Sequence, residues 1–239
     1  MADDFATELA KQLPVRAFYD DALSPAAKQV GQFGQDLLKV IQLAVAPVQY
    51  VAALQDRYRQ FLDKSVRRVP EENRVAPPPQ ILGPVLEGVR YETEGTPIDE
   101  MFSQLLSSAM DSRRVNKAHP AYPIIIRQLS ADEAHVLNRM LERHRSGRKA
   151  YLLIERYTTD DSGEMYLGGN LVELDEFPRQ GLMFPHNLGF YMSHLNQLGL
   201  AALSTRKDNR SDNAPPHRLV REYALRVFGF NFMEACHPN

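Results

Sequence analysis

From Leu37 onward the apolar residues Leu37, Ile41, Val45, Val48, Val51, Leu54, Tyr58, Phe61 and Val66 recur every three to five positions. That spacing lines one face of a helix and predicts a long amphipathic helix ending near Val69-Pro70. Ser24-Pro25 supplies an upstream cap and first turn. Pro47 falls inside the stripe and should kink the helix or split it after Ala46. Beyond Asp56 the outer face is well charged. Residues 40–55 carry no charge at all. Burial in a bundle or at a subunit interface is the favoured reading of this stretch, ahead of association with a membrane surface. At ~1.5 Å per residue it falls short of a ~30 Å hydrocarbon core, and it lacks the Lys/Arg-rich face of an interfacial helix.

The pattern then breaks at Pro70, Pro77-Pro78-Pro79, Gly83-Pro84, Gly95 and Pro97. Consecutive prolines disfavour helix for the residue before them, so residues 76–96 read as an extended strap packed through Ile81, Leu82, Val85 and Leu86. Two well-signalled helices follow. Thr96-Pro97 opens one, with Ile98, Met101, Phe102, Leu105 and Ala109 on its buried face. Ser130-Ala131-Asp132-Glu133 is a capping box for the other, which buries Leu137 and Leu141, ends basic and meets Gly147. A short helix through Ile125 and Ile126 is expected between them.

The last ninety or so residues change character. Residues 150–157 and 164–171 read as two strands around Asp160-Asp161-Ser162-Gly163. Residues 187–198 read as a helix stopped by Gly199. A short strand, a polar loop (207–216), a strand (219–227) and a helical turn (228–236) complete the chain. That order of elements is similar to a winged helix-turn-helix. Leu195-Asn196-Gln197-Leu198-Gly199-Leu200, the loop with Asp208-Asn209-Arg210, and Leu225 with Gly229 resemble the recognition helix and wing of antibiotic-resistance-type repressors. The expected fold is mainly α (α+β): a helical region over 1–75, a proline-rich strap over 76–96, and helices plus a winged-helix-like C-terminal domain over 97–239.

Composition narrows the function classes. The chain has 239 residues, 44% apolar and 24% charged, which is globular and large enough to carry its own core. A net charge of −2 gives no overall pull towards nucleic acid. The single cysteine, Cys236, excludes internal disulfides and multi-cysteine metal centres, and suits a reducing, cytoplasmic setting. An acidic N-terminus, Met-Ala-Asp-Asp-Phe, does not read as a signal peptide.

Candidate chemistry is sparse. Phosphate-binding glycine loops, His-Glu-x-x-His, Gly-x-Ser-x-Gly and a deaminase zinc pattern are all missing from the sequence. His119 reads as a partner for backbone groups at a helix entrance. His135 and His144 are too far apart on their helix to share a metal. His186, His194 and His217 could meet near the wing, but a metal site there is disfavoured. Cys236 reads as a small buried hydrophobe. The expectation is no catalytic residue, no metal and no cofactor. Arg206, Lys207, Arg210, Arg218 and Arg221 could make a basic wing for nucleic acid, the alternative reading. The helix in the recognition position carries no Lys or Arg, so sequence-specific DNA is disfavoured as a partner.

The segment Pro78-Pro79-Gln80-Ile81-Leu82-Gly83-Pro84-Val85-Leu86-Glu87-Gly88-Val89-Arg90-Tyr91 begins a series of further motifs. Met101-Phe102-Ser103-Gln104-Leu105-Leu106, Ser108-Ala109-Met110-Asp111, His119-Pro120-Ala121-Tyr122 and Gln128-Leu129-Ser130-Ala131-Asp132-Glu133-Ala134 follow it. Together with Gly229-Phe230-Asn231-Phe232-Met233-Glu234-Ala235-Cys236, these resemble the Abi-alpha (abortive infection alpha) family of bacterial proteins. The resemblance implies a cytosolic or membrane-proximal protein linked to phage defence, and it carries over no catalytic residues. The tryptophan often seen in the family's amphipathic segment is absent here, since the chain has no Trp. The expectation that follows is a non-enzymatic defence protein acting through a protein partner or self-association. The alternatives are a winged-helix transcription regulator and a membrane-perturbing effector acting through residues 40–55.

Overall fold

A computed structural model of the chain describes residues 51–148, 150–159, 165–205 and 218–237. Ser24-Pro25, Pro47 and residues 40–50 of the uncharged stretch lie outside the described residues. Those described group into two compact units, residues 51–128 with 235–237 and residues 129–234.

The first unit is helical: α1 (Val51–Arg67), α2 (Pro79–Val89), α3 (Pro97–Ala109) and α4 (Tyr122–Ile126). Its core is built on α3, whose residues from Ile98 to Ala109 are all buried except Glu100. A row of serines lets α1 and α3 approach closely. Ser65 donates to the Phe61 carbonyl at 2.8 Å, so Ser103 is left to donate to Ser65 at 2.9 Å. Ser107 donates to the carbonyls of Ser65 and Ser103 at 2.9 and 2.8 Å. Every buried hydroxyl therefore has a partner, which is what makes a polar seam tolerable in a core. On the other side of α3, Gly88 of α2 faces Phe102, whose ring lies where a β-carbon would stand.

The proline-rich stretch corrects the expectation of an extended strap, for residues 79–89 are α-helical. Pro79 sits at the first helical position, where its missing N–H would be unpaired anyway. Pro84 lies inside the helix at the expense of one backbone bond. Burial of Ile81, Leu82, Val85, Leu86 and Val89 on one face outweighs that loss.

The second unit holds α5 (Ala131–Arg145), β1 (Tyr151–Thr159), β2 (Met165–Asp175), α6 (Leu188–Gln197), β3 (Ala201–Thr205), β4 (Arg218–Leu225) and most of α7 (Val227–Cys236). The strands form one antiparallel sheet in the order β2-β1-β4-β3. The described helices and this sheet make the fold mixed α and β, as the sequence suggests. Both β1 and β2 run longer than the sequence reading had them, and β4 stops at Leu225, so that Val227 begins a helix instead of ending a strand. Gly199, at φ 73°, ends the turn after α6 in a conformation that other residues rarely adopt. At Gly229 an added β-carbon would lie 1.8 Å from the Leu200 carbonyl oxygen, so α7 meets the chain before β3 at a spacing only glycine permits.

Because paired residues share a face, the registers divide the sheet. Tyr151, Leu153, Glu155, Arg221 and Tyr223 lie on the inner face, and Leu152, Ile154, Arg156, Arg218, Val220 and Glu222 on the outer. α5 covers the inner face. The Tyr151 hydroxyl donates to the Arg139 carbonyl at 3.2 Å, and the Arg143 guanidinium stacks 4.5 Å over the Tyr151 ring. Phe177 fills the space between Tyr151 and Tyr223.

Candidate functional site

The N-terminus of α5 places two carboxylates side by side in its first turn. Ser130 caps the helix, accepting from the Glu133 N–H at 3.3 Å while Glu133 accepts from the Ser130 N–H at 2.8 Å. A helix start favours negative charge, so Asp132 and Glu133 suit this turn. Both are almost fully buried.

Asp132 accepts from the N–H groups of Met183 and Phe184 at 2.7 and 2.9 Å and from the Tyr191 hydroxyl at 2.7 Å. Burial alone would raise its pKa. The two backbone bonds and the Tyr191 bond outweigh that and hold the carboxyl below its ordinary value. Burial, and then the Asp132 carboxylate itself, pushes the Tyr191 phenol up. The effect is a clamp that ties the segment before α6, and α6 itself, to the start of α5.

Glu133 also meets His194 of α6, with Nδ1 at 2.6 Å from Oε1. With Glu133 ionised, Nδ1 carries the proton, an assignment made from the bonding pattern. A carboxylate-oriented imidazole is a familiar acid-base device. Here the Ser130 hydroxyl bonds to Glu133 at 2.9 Å, and no hydroxyl or thiol bonds to His194 among the described residues. The pair therefore serves as a second strand of the clamp.

What the clamp presents is apolar. Met183, Phe184 and Phe190 are 74%, 57% and 69% exposed, the first two on backbone held by Asp132 and the third on α6, next to the Tyr191 whose hydroxyl Asp132 also accepts from. Large exposed side chains on a rigid support are the usual material of contact surfaces.

The residues singled out from the sequence fare differently. Arg206, Lys207 and Arg210 lie outside the described residues, as does His217. Arg218 donates to Glu173 at 3.0 Å, and Arg221 pairs with the buried Glu155. His119 accepts from the Ala121 N–H at 3.1 Å, the backbone role expected of it. His144 stacks on Phe230 at 4.8 Å. Cys236 is buried, which pushes its thiol well up. The clamp was not foreseen. Its only sequence signal is an acid at the second position of a capped helix, where water or a distant donor serves equally well.

A family model described as abortive infection alpha matches residues 50–236. The chain belongs to the abortive infection alpha family. That membership suggests a part in abortive-infection-type defence, in line with the resemblance carried by residues 78–91 and 128–134. No curated protein and no solved structure matches the chain. Among the described residues, no helix is long and apolar enough to cross a membrane.

Proposed function

We propose that this abortive infection alpha protein acts in phage defence by protein contact or self-association and not by catalysis. The observation that carries the reading is the solvent-facing set Met183, Phe184 and Phe190, held by the Asp132 clamp. Its ionisable neighbours are engaged in holding the fold, which leaves an apolar surface as the feature offered outward. The test is phage plating on a sensitive bacterium carrying the gene in its native context, with a Phe184→Ser/Phe190→Ser variant beside the wild type. Protection by the wild type, lost in a variant that still melts at the wild-type temperature, is expected. Unchanged plating across a broad phage panel sinks the defence reading, and a fully protective variant sinks the surface.

One observation favours a second reading. The antiparallel order β1-β4-β3, with α6 directly before β3, is the strand arrangement of a winged helix. A DNA reader would place α6 in the major groove, yet α6 holds no Lys or Arg, and Arg218 and Arg221 are paired with acids. Binding would then be weak and salt-sensitive, with a Kd of roughly 10⁻⁴–10⁻⁶ M. Fluorescence anisotropy with the gene's own promoter and random duplex separates the two readings. A preference of ~10³-fold or more for one sequence promotes the regulator.

A further inference from the structure

The chain has eight methionines and no Trp, and the structure describes the side chains of six of the methionines. Five of these, Met101, Met110, Met140, Met192 and Met233, are buried, none above 3% exposed. Met183 is 74% exposed. The single cysteine does not compete with it for oxidants. Cys236 is buried, and burial pushes its thiol up, away from the reactive thiolate. Among the described residues, Met183 therefore carries the one open sulfur.

That exposure is built into the fold. Leu182, just before it, is buried, and the Met183 N–H donates to Asp132 at 2.7 Å. The Phe184 N–H donates to the same carboxylate at 2.9 Å. With the backbone gripped at successive residues, the Met183 side chain cannot withdraw into the core. A thioether does not ionise, so its reactivity follows exposure, whereas that of a thiol also follows its pKa.

We propose that Met183 is a reversible oxidation site that switches off the apolar contact surface it forms with Phe184 and Phe190. A sulfur lone pair attacks hydrogen peroxide, the O–O bond breaks, and one oxygen stays on sulfur. The other oxygen leaves as water with both hydrogens of the peroxide. Sulfur is oxidised to the sulfoxide as the peroxide is reduced. The reverse step belongs to a methionine sulfoxide reductase, whose thiols become a disulfide as the oxygen departs as water. The product carries a strong acceptor where the surface was apolar. An apolar partner surface offers that oxygen no donor, so the contact strips its water without replacement. In the free chain the oxygen stays solvated, and the Asp132 clamp and the core are untouched. The proposal rests on the contact-surface reading above and adds its regulation.

Peptide mapping by mass spectrometry, after peroxide treatment of the full chain, reads the site directly. Met183 should gain oxygen about tenfold faster or more than the five buried methionines, which react only when the fold opens. The melting temperature should not change. Hydrophobic-interaction chromatography reads the surface. Oxidised wild type should elute earlier, a methionine sulfoxide reductase should restore its retention, and Met183→Leu should show no shift. Leucine keeps the apolar volume without the sulfur. Equal oxidation rates at Met183 and the buried positions, an unshifted wild type, or a shift that persists in Met183→Leu overturns the proposal. In phage plating, Met183→Gln stands in for the sulfoxide and should lose the protection that Met183→Leu keeps. A Met183→Gln chain that protects like the wild type overturns the switch. A wild type that never protects overturns the defence reading instead, and mapping with elution still decides the oxidation site.

Discussion

Each unit sets an acidic pair in the first turn of a capped helix, and the two units answer the charge by opposite means. In the first, Thr96 caps α3, and Asp99 is met by Arg57, by Lys64 at 3.3 Å and by the Gly95 N–H at 3.1 Å. Glu100 is met by Lys64 at 2.7 Å and Arg68 at 2.6 Å. In the second, Ser130 caps α5. There Asp132 and Glu133 are met by backbone N–H groups, hydroxyls and one imidazole. Cations neutralise charge but depend on being kept as a set. Neutral donors hold geometry, and here they fix a segment that faces solvent. The first arrangement builds a core and the second positions a surface.

The largest test of that contrast is Asp99→Ala. It leaves Arg57, only 16% exposed in its side chain, without its counter-charge, and should cost about 3–5 kcal/mol in urea denaturation. A loss under ~1 kcal/mol would show that the cations are solvated independently and that the units do not differ as described.

Asp132→Asn is expected to cost less, about 1–3 kcal/mol, since an amide can no longer accept from all three donors. Its signature is local: hydrogen exchange at Met183 and Phe184 should accelerate before the rest of the unit opens. Uniform acceleration would mean that Asp132 holds no particular segment.

pH sharpens the same comparison. A carboxyl depressed in the folded state adds stability above its unfolded pKa, and that stability is lost as pH falls through the folded value. The stability gap between wild type and Asp132→Asn should therefore close as pH drops below ~4. Burial would raise Glu100, but bonds from Arg68, Lys64 and Gln104 hold it down at about 2, so its contribution should be lost progressively as pH falls from ~4 to about 2. A gap at Asp132 that stays constant from pH 7 to pH 2 would contradict a charged clamp.

The smallest effects come from the caps and from salt. Ser130→Ala should cost about 1 kcal/mol through the unpaired Glu133 N–H. Molar salt should weaken the Lys64 and Arg68 pairs of Glu100 by a few tenths of a kcal/mol and leave the Asp132 bonds unchanged, visible as a salt-insensitive exchange rate at Met183.

Local signals were legible wherever the physics is local. Thr96-Pro97, Ser130 with Glu133, and Gly199 act within one turn of chain, and the structure places a cap or a stop at each. Residues 79–89 misled because their prolines act locally against helix, while the burial that outweighs them depends on packing by distant residues. Arg218 and Arg221 read as surface cations in sequence, but cross-strand pairing delivers each to a glutamate from a distant part of the chain.

The sequence by itself determined the helix starts at Thr96 and Ser130, the stop at Gly199, the mixed α and β composition and the family to which the chain belongs. Those follow from short-range spacing, capping chemistry and motifs that need no knowledge of contacts. Only the tertiary structure decided which face of the sheet α5 covers, that Asp132 grips a segment some fifty residues downstream, and that Leu171, Leu174 and Phe190 face outward. A strand's alternation fixes that its faces differ, not which one a helix will cover. An acid at a helix start accepts hydrogen bonds wherever it lies, and only packing determines which donor arrives.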